Sequence, residues 1–288
     1  MNVELIVDST VDVPEHIRSR LTVVPLTIHF GQEEYLDGVT MDKHRFYERL
    51  VESDVLPTTS QASPAAFDRE FRRVRRSGGS AVVLTISAQL SGTYQSACIA
   101  AAEYDNIYVV DSGTAAIGAG ILAEYALACL DRGMDAAGLA RALEQKRQDV
   151  CVLALVDTLE YLKRGGRISK TTALAGGLLN IKPVLTIQGE KLDAFEKARG
   201  VKQAKKAMIK AMKKDMDKRF AKERAAGIMG LHIAYTANDK EVIDGWIVEV
   251  KEAFPDFEVD AHPLSLSVAC HIGPGALAIA CEKKSAIS

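Results

Sequence analysis

Short apolar runs rich in Val, Ile and Leu alternate, through the first half of the chain, with stretches whose apolar residues recur three or four positions apart. The short runs fit buried strands, and the periodic stretches fit helices packed upon them. The pattern predicts strands at 3–7, 81–86, 107–110 and 151–156. It predicts helices at 14–20, 42–51, 64–76, 91–103, 114–130 and 135–148. Ser63 ahead of Pro64 is a favourable N-cap with proline in the first turn, and Asp135 caps the last of these helices. Residues 21–52 break the rhythm with VVPLTIHF and then Gly31-Gln32-Glu33, a small β-rich excursion. Strands and helices taking turns in this way predict a Rossmann-like parallel sheet.

The second half has a different texture. A helical turn at 159–163 runs into Arg164-Gly165-Gly166-Arg167, and 172–179 is small and apolar. Residues 184–187 and 191–197 flank Gly189-Glu190 and read as a hairpin with a tight turn. A lysine-rich helix follows at 201–220, then a strand at 230–235, a helix at 239–254, a strand at 257–261 and a closing strand at 276–281. We therefore expect two domains. Residues 1–157 form the N-terminal α/β domain with its excursion, and 158–288 form a second α/β (α+β) domain. No Pro/Gly/Ser-rich linker marks the boundary, which predicts domains packed against each other. No internal repeat or low-complexity tract is present.

Composition adds exclusions. With 288 residues, 48% of them apolar, the chain buries a sizeable core without disulfides or metal. Its 36 basic and 38 acidic residues leave no global basic footprint for nucleic acid. Cys98, Cys129, Cys151, Cys270 and Cys281 form no C-x-x-C pair and sit among apolar residues, so they read as reduced core thiols in a cytoplasmic protein. The start, MNVELIVDST, lacks a basic region followed by an apolar one, so no signal peptide is expected. No apolar run reaches the roughly 18 residues of a membrane span. The histidines, including His16, His29, His44, His232 and His262, show no metal-ligand spacing.

Polar residues gather where strands give way to helices. Asp8-Ser9-Thr10, Asp111-Ser112-Gly113-Thr114 and Ser87 with Ser91-Gly92-Thr93 each follow an apolar run. In open α/β sheets the ligand crevice lies beyond the carboxyl ends of the strands, and free N–H groups at helix starts favour anions there. Hydroxyls add neutral donors, which suits a carboxylate or phosphate. Ordinary capping accounts for much of the first two clusters, whereas Ser91-Gly92-Thr93 is richer than a cap requires. The run Thr58-Thr59-Ser60 ahead of Gln61-Ala62-Ser63 exceeds one cap as well, and otherwise reads as a polar loop. Gly118-Ala119-Gly120-Ile121-Leu122-Ala123 matches a dinucleotide fingerprint in letters only. It lies inside an apolar helix and reads as close helix packing. No NTP-binding P-loop and no G-x-S-x-G elbow occurs. His271 stands beside the Gly273-Pro274-Gly275 turn.

Together these residues resemble the DegV family. The resemblance rests on Val7-Asp8-Ser9-Thr10, Thr59-Ser60-Gln61, Leu90-Ser91-Gly92-Thr93-Tyr94, Leu162-Lys163-Arg164-Gly165-Gly166-Arg167-Ile168 and His271-Ile272-Gly273-Pro274-Gly275-Ala276. These segments run from the first strand to the last. One departure stands out: family members often carry Pro after Thr-Ser-Gln, where this chain has Ala62.

The resemblance implies a two-domain α/β protein holding a long-chain fatty acid between its domains. It further implies delivery of the acyl carboxylate to a separate ATP-dependent fatty-acid kinase that makes the acyl phosphate. Thr59, Ser60, Ser91, Gly92, Thr93 and His271 would bind the carboxylate. Arg167 would lie near phosphoryl transfer, and Arg199 near the docking partner. Ala173, Leu174, Gly176, Gly177, Leu178 and Ile181 would wall the tail tunnel. No metal or other cofactor is implied beyond the bound fatty acid, and a monomer is expected. The basic stretch 202–224 reads as a solvated face, with transient membrane contact or docking to an acidic kinase face as the sharper alternative. Two other classes compete. A stand-alone phosphotransferase or hydrolase would use Ser91 or His271, but lacks a nucleotide loop, a metal set and an elbow. A DNA-binding or regulatory protein would need a basic balance and a helix-turn-helix signal, and neither is present.

Overall fold

The computed structural model describes residues 2–52, 55–168, 181–187, 192–236 and 239–284. The chain packs as two units. The first runs to Gln148 and includes Ser265–Cys270; the second takes Asp149–Leu264 and the described residues from His271 onward.

In the first unit, strands β1 (Val3–Asp8), β2 (Thr22–Val24), β6 (Ser80–Thr85) and β7 (Ile107–Asp111) pair in the order β2-β1-β6-β7, all parallel. Central β6 buries Ala81, Val82, Val83 and Leu84 completely, as a strand covered on both faces must. Helices α1 (Glu15–Arg18), α2 (Lys43–Glu52), α3 (Pro64–Arg76), α4 (Thr93–Ala101), α5 (Ile117–Asp131) and α6 (Ala136–Lys146) alternate with the strands. The Ser63 hydroxyl accepts the Ala66 N–H at 3.2 Å, and the Asp135 carboxylate accepts Gly138 N–H at 2.6 Å, so both expected caps form. Phe67, Phe71 and Val74 of α3 pack with Ile6, Val83 and Ala97 in one buried cluster.

The excursion differs from expectation at both ends. Its first residues join the parallel sheet as edge strand β2. The rest is a three-stranded antiparallel sheet, β4-β3-β5, built from β3 (Thr27–Phe30), β4 (Glu33–Leu36) and β5 (Thr58–Ser60). Gly31, at φ +62, lets the chain turn tightly between β3 and β4. The hydroxyl run read as a polar loop is thus strand β5. Its β-branched threonines suit a pleated edge, but three polar residues are too short a signal to register as a strand. Within α5, Gly120 meets the backbone of Asp12: a Cβ there would lie 1.7 Å from the Asp12 carbonyl oxygen. The glycine pattern in this helix therefore serves close packing.

The second unit carries a mixed sheet, β10-β9-β8-β13-β11-β12. Its strands are β8 (Val150–Leu155), β9 (Ile181–Ile187), β10 (Leu192–Arg199), β11 (Met229–Tyr235), β12 (Val259–Pro263) and β13 (Leu277–Lys283). The strand read as the last of the first domain is β8, which pairs antiparallel with β9 and β13. Helices α7 (Glu160–Gly165), α8 (Gly200–Arg219), α9 (Ala221–Ala225) and α10 (Lys240–Ala253) complete this unit. Met208, Met212 and Met216 of α8 and Trp246 and Val250 of α10 bury against Leu231, Ile279 and Cys281. The opposite side of α8 exposes Lys202, Lys206, Lys210, Lys214 and Lys218, each four residues after the last. All five cysteines are free, and only Cys98 is not fully buried.

One helix has no counterpart in the sequence pattern, α11 (Leu266–Ile272). Its start is held by carboxylates far away in the chain. Asp12 Oδ1 accepts Ser265 N–H at 2.8 Å, across 253 positions, and Asp37 Oδ2 accepts Ser267 N–H at 3.0 Å, across 230. A cap supplied from that distance leaves no local signature. Among the described residues, no helix is long and apolar enough to cross a membrane.

Candidate functional site

The carboxyl ends of β1 and β6 are tied together by the protein's own hydrogen bonds. Asp8 Oδ1 accepts Thr10 N–H at 2.9 Å and the Thr10 hydroxyl at 2.5 Å, and its Oδ2 accepts Ile86 N–H at 2.7 Å. Ser9 Oγ accepts Leu26 N–H at 3.0 Å. Burial pushes the Asp8 carboxyl up, and these hydrogen bonds oppose it. Asp111 plays a similar part at the end of β7, where its Oδ1 accepts Ala88 N–H at 3.1 Å and Gly113 N–H at 2.9 Å. Both clusters stabilise the strand ends with their own polar atoms.

The Ser91 cluster is arranged differently. Gly92 is the N-cap of α4 and has no side chain to satisfy the first-turn N–H groups. Ser91 Oγ lies 2.9 Å from Thr93 Oγ1 and accepts Thr93 N–H at 3.2 Å. Ser91 and Gly92 are partly exposed, while Thr93 is buried. One hydroxyl of the pair donates to the other, which leaves the second as a donor beside a helix start, the arrangement that suits an anion.

The Thr59 segment presents two faces. Thr59 pairs with Ile28, whose side chain is fully buried, so Thr59 faces inward. Ser60 is exposed on the other face, where its Oγ lies 2.7 Å from His29 Nε2. The pleat thus separates Ser60 from Thr59. Gln61 links this strand to the Ser91 cluster, donating from Nε2 to Ser96 Oγ at 2.8 Å. Gln61 and His29 were not among the expected site residues. Gln61 lies within the Thr59-Ser60-Gln61 motif, while nothing in the sequence points to His29.

In the second unit, Gly165 brings Arg167 and His271 together. Arg167 Nη1 donates to the Gly165 carbonyl. A Cβ on Gly165 would lie 2.5 Å from His271 Nδ1. The turn after His271 is pinned by buried Thr236, whose hydroxyl donates to Gly273 O at 2.7 Å and accepts Ala276 N–H at 2.9 Å. Gly273 adopts φ +76, and a Cβ there would strike the Tyr161 ring at 2.6 Å. The His271 pKa is lowered to about 4, first by burial of the ring and then by the Arg167 charge, so the imidazole is neutral at neutral pH. Arg199 is exposed, at the end of β10 and the start of α8. Ala173, Leu174, Gly176, Gly177 and Leu178 lie outside the described residues. Ile181 opens β9, and its side chain is likewise outside the description.

Among the described residues, no group of His, Cys, Asp and Glu could hold a metal ion. A cleft of about 510 Å³ opens at the opposite, amino-terminal edge of the first sheet, lined by Asn2, Glu4, Arg20, Leu127 and Asp131 among others. Arg20 and Asp131 pair within it at 2.5 Å. Volume alone does not make it a site: none of the hydroxyl clusters reaches it.

A family model described as an uncharacterised protein, DegV family, matches residues 2–284. A DegV domain-containing protein of Deinococcus radiodurans is 32% identical over 290 residues, covering 99% of this chain and 100% of that protein. The fold is similar to that of a DegV family protein from Thermus thermophilus, described for its fatty acid binding. The TM-score is 0.85 at 32% identity, over 98% of this chain and 100% of that one. It is also similar to a stearic acid-binding protein from Eubacterium ventriosum, with TM-score 0.88 at 26% identity, over 98% and 99% of the two chains.

Proposed function

The chain belongs to the DegV family, and from that premise we propose that it binds a long-chain fatty acid and presents its carboxylate to a separate ATP-dependent kinase. The observation that carries this reading is the Ser91-Gly92-Thr93 start of α4, with a paired Ser91–Thr93 hydroxyl donor beside an N-cap that lacks a side chain. A carboxylate leaving water needs several donors, and bonds to a charged acceptor are the strong ones. Thr59, Ser91 and first-turn N–H groups supply them without adding charge. The relatives from Thermus thermophilus and Eubacterium ventriosum, similar over nearly the whole chain and named for fatty acid binding, support the choice of ligand.

The tail supplies most of the affinity. A palmitoyl chain has about 14 methylenes, worth roughly 11 kcal/mol gross at about 0.8 kcal/mol each, and ordering the chain offsets part of that. The role of the protein is to hold and present, with chemistry left to the kinase. Neutral His271 and Arg167 are assigned to the carboxylate end and to phosphoryl transfer. Arg199 and the exposed lysines of α8 are assigned to partner or transient membrane contact.

Titrating a labelled fatty acid into the pure protein tests the reading. Saturable binding is expected, weakened at least about tenfold in Ser91→Ala or Thr59→Ala, the size of one lost hydrogen bond to a charged group. Acyl phosphate should form only when a fatty-acid kinase and ATP are added. Turnover of ATP or an ester by the protein alone would instead favour a stand-alone enzyme.

A further inference from the structure

Gly92 poses a question that its backbone does not answer. Its φ of -70° and ψ of 2° are open to any residue, so glycine is not needed there for conformation. A side chain there would meet Gln61. A Cβ on Gly92 would lie 2.0 Å from Gln61 Oε1, 2.8 Å from Cδ and 3.1 Å from Nε2. The carboxamide therefore lies directly against the Gly92 backbone, while its Nε2 holds Ser96 Oγ at 2.8 Å. Ser96 N–H in turn donates to the Gly92 carbonyl at 2.9 Å.

Gln61 follows directly on β5, which carries Thr59, and Gly92 sits between Ser91 and Thr93. One amide thus fastens the strand bearing the first hydroxyl to the helix start bearing the second. The contact occurs where Gly92 has no side chain to obstruct it. Gln61 itself is exposed and outside the hydrophobic core, so packing does not explain its placement.

We infer that Gln61 is a positioning residue for the acyl carboxylate, with Gly92 as its socket, setting the separation between the Thr59 and Ser91 hydroxyls. The inference rests on the fatty-acid reading above. It makes Gln61 responsible for recognition of the carboxylate rather than of the tail, because the hydroxyls it aligns face the charged end.

The test compares binding of a long-chain fatty acid with that of the fatty alcohol of equal length, in wild type, Gln61→Ala, Gly92→Ala and the double variant. Wild type should prefer the acid. In Gln61→Ala the acid-over-alcohol ratio should fall about tenfold, as for the loss of one well-aligned charge-assisted hydrogen bond, with alcohol binding and melting temperature nearly unchanged. Gly92→Ala should fall comparably, because the new methyl displaces the amide. Adding it to Gln61→Ala should change the ratio by less than about twofold, since contacting residues are coupled and the obstacle is already gone. An acid-over-alcohol ratio in Gln61→Ala that stays at the wild-type value, or acid and alcohol affinities that fall in parallel, would overturn the assignment while leaving the carrier reading intact. Absence of fatty-acid binding by the wild type would instead remove the carrier reading, and this assignment with it.

Discussion

The two units hold their candidate site residues by opposite means. In the first, the strand ends and helix starts carry hydroxyls and amides that stay neutral at every ordinary pH, and the buried carboxylates Asp8, Asp12 and Asp37 accept backbone N–H groups from distant segments. In the second, cationic or titratable groups, Arg167 and His271, are arranged around the small cross-section of Gly165. Protonation is therefore pushed in opposite directions. Burial raises the Asp12 carboxyl well above its usual range, helped by the Asp37 charge, whereas burial and Arg167 lower His271 to about 4. One frame favours holding a proton and the other favours releasing it. The hydroxyls and amides of the first unit do not titrate, while the second unit keeps a neutral imidazole beside the Arg167 cation.

Substitution of a frame glycine should break the contrast most sharply. The wall facing Gly120 is backbone, the Asp12 carbonyl, and cannot swing aside. Gly120→Ala should destabilise the first unit by about 3 kcal/mol or more, the range of severe overpacking, read by urea denaturation. The wall facing Gly165 is the edge of the His271 ring, so Gly165→Ala should cost less and move the imidazole titration upward from about 4.

The next effect concerns pH. Below its unfolded pKa of about 6.5, unfolded His271 takes up a proton that the folded protein refuses until about pH 4. The unfolded state therefore binds more protons in that window, and stability falls as pH drops through it, by on the order of 3 kcal/mol in total. His271→Gln should flatten this part of the stability profile. Asp12 carries the opposite sign. Its raised pKa means the folded state binds more protons as pH rises past about 4, so stability falls with rising pH. Asp12→Asn keeps an oxygen for Ser265 N–H and should raise stability at neutral pH, with no gain in strong acid. The smallest effect belongs to α8. Lys206→Gln or Lys214→Gln should change stability by less than about 0.5 kcal/mol, as exposed positions do, while weakening any contact with an anionic partner in a salt-dependent way.

How far the sequence revealed this molecule depended on where each signal lay in the chain. The parallel sheet was visible because β1, β6 and β7 are short runs rich in Val, Ile and Leu, and α3 and α6 announce themselves with Ser63 and Asp135. Helix α11 was invisible because its capping carboxylates, Asp12 and Asp37, stand more than 200 positions away. Strand β5 was hidden because Thr58–Ser60 looks like a loop until β3 pairs with it. At the site, the Ser91-Gly92-Thr93 cluster stood out by its excess over a cap. The inward facing of Thr59 and the outward facing of Ser60 followed only from register. The contacts of Gly92 with Gln61, and of Gly165 with His271, are spatial facts with no periodicity to betray them. Residues 173–178, the expected wall of the tail tunnel, lie outside the described residues.

The central claim is that this chain carries one fatty acid, and native mass spectrometry addresses it most directly. The protein, purified under native conditions, would be weighed before and after denaturation, and its organic extract analysed by gas chromatography. The account predicts that the native mass exceeds the denatured mass by one long-chain fatty acid, matched in the extract. A native mass equal to that of the bare chain, unchanged after incubation with a panel of fatty acids, would contradict it.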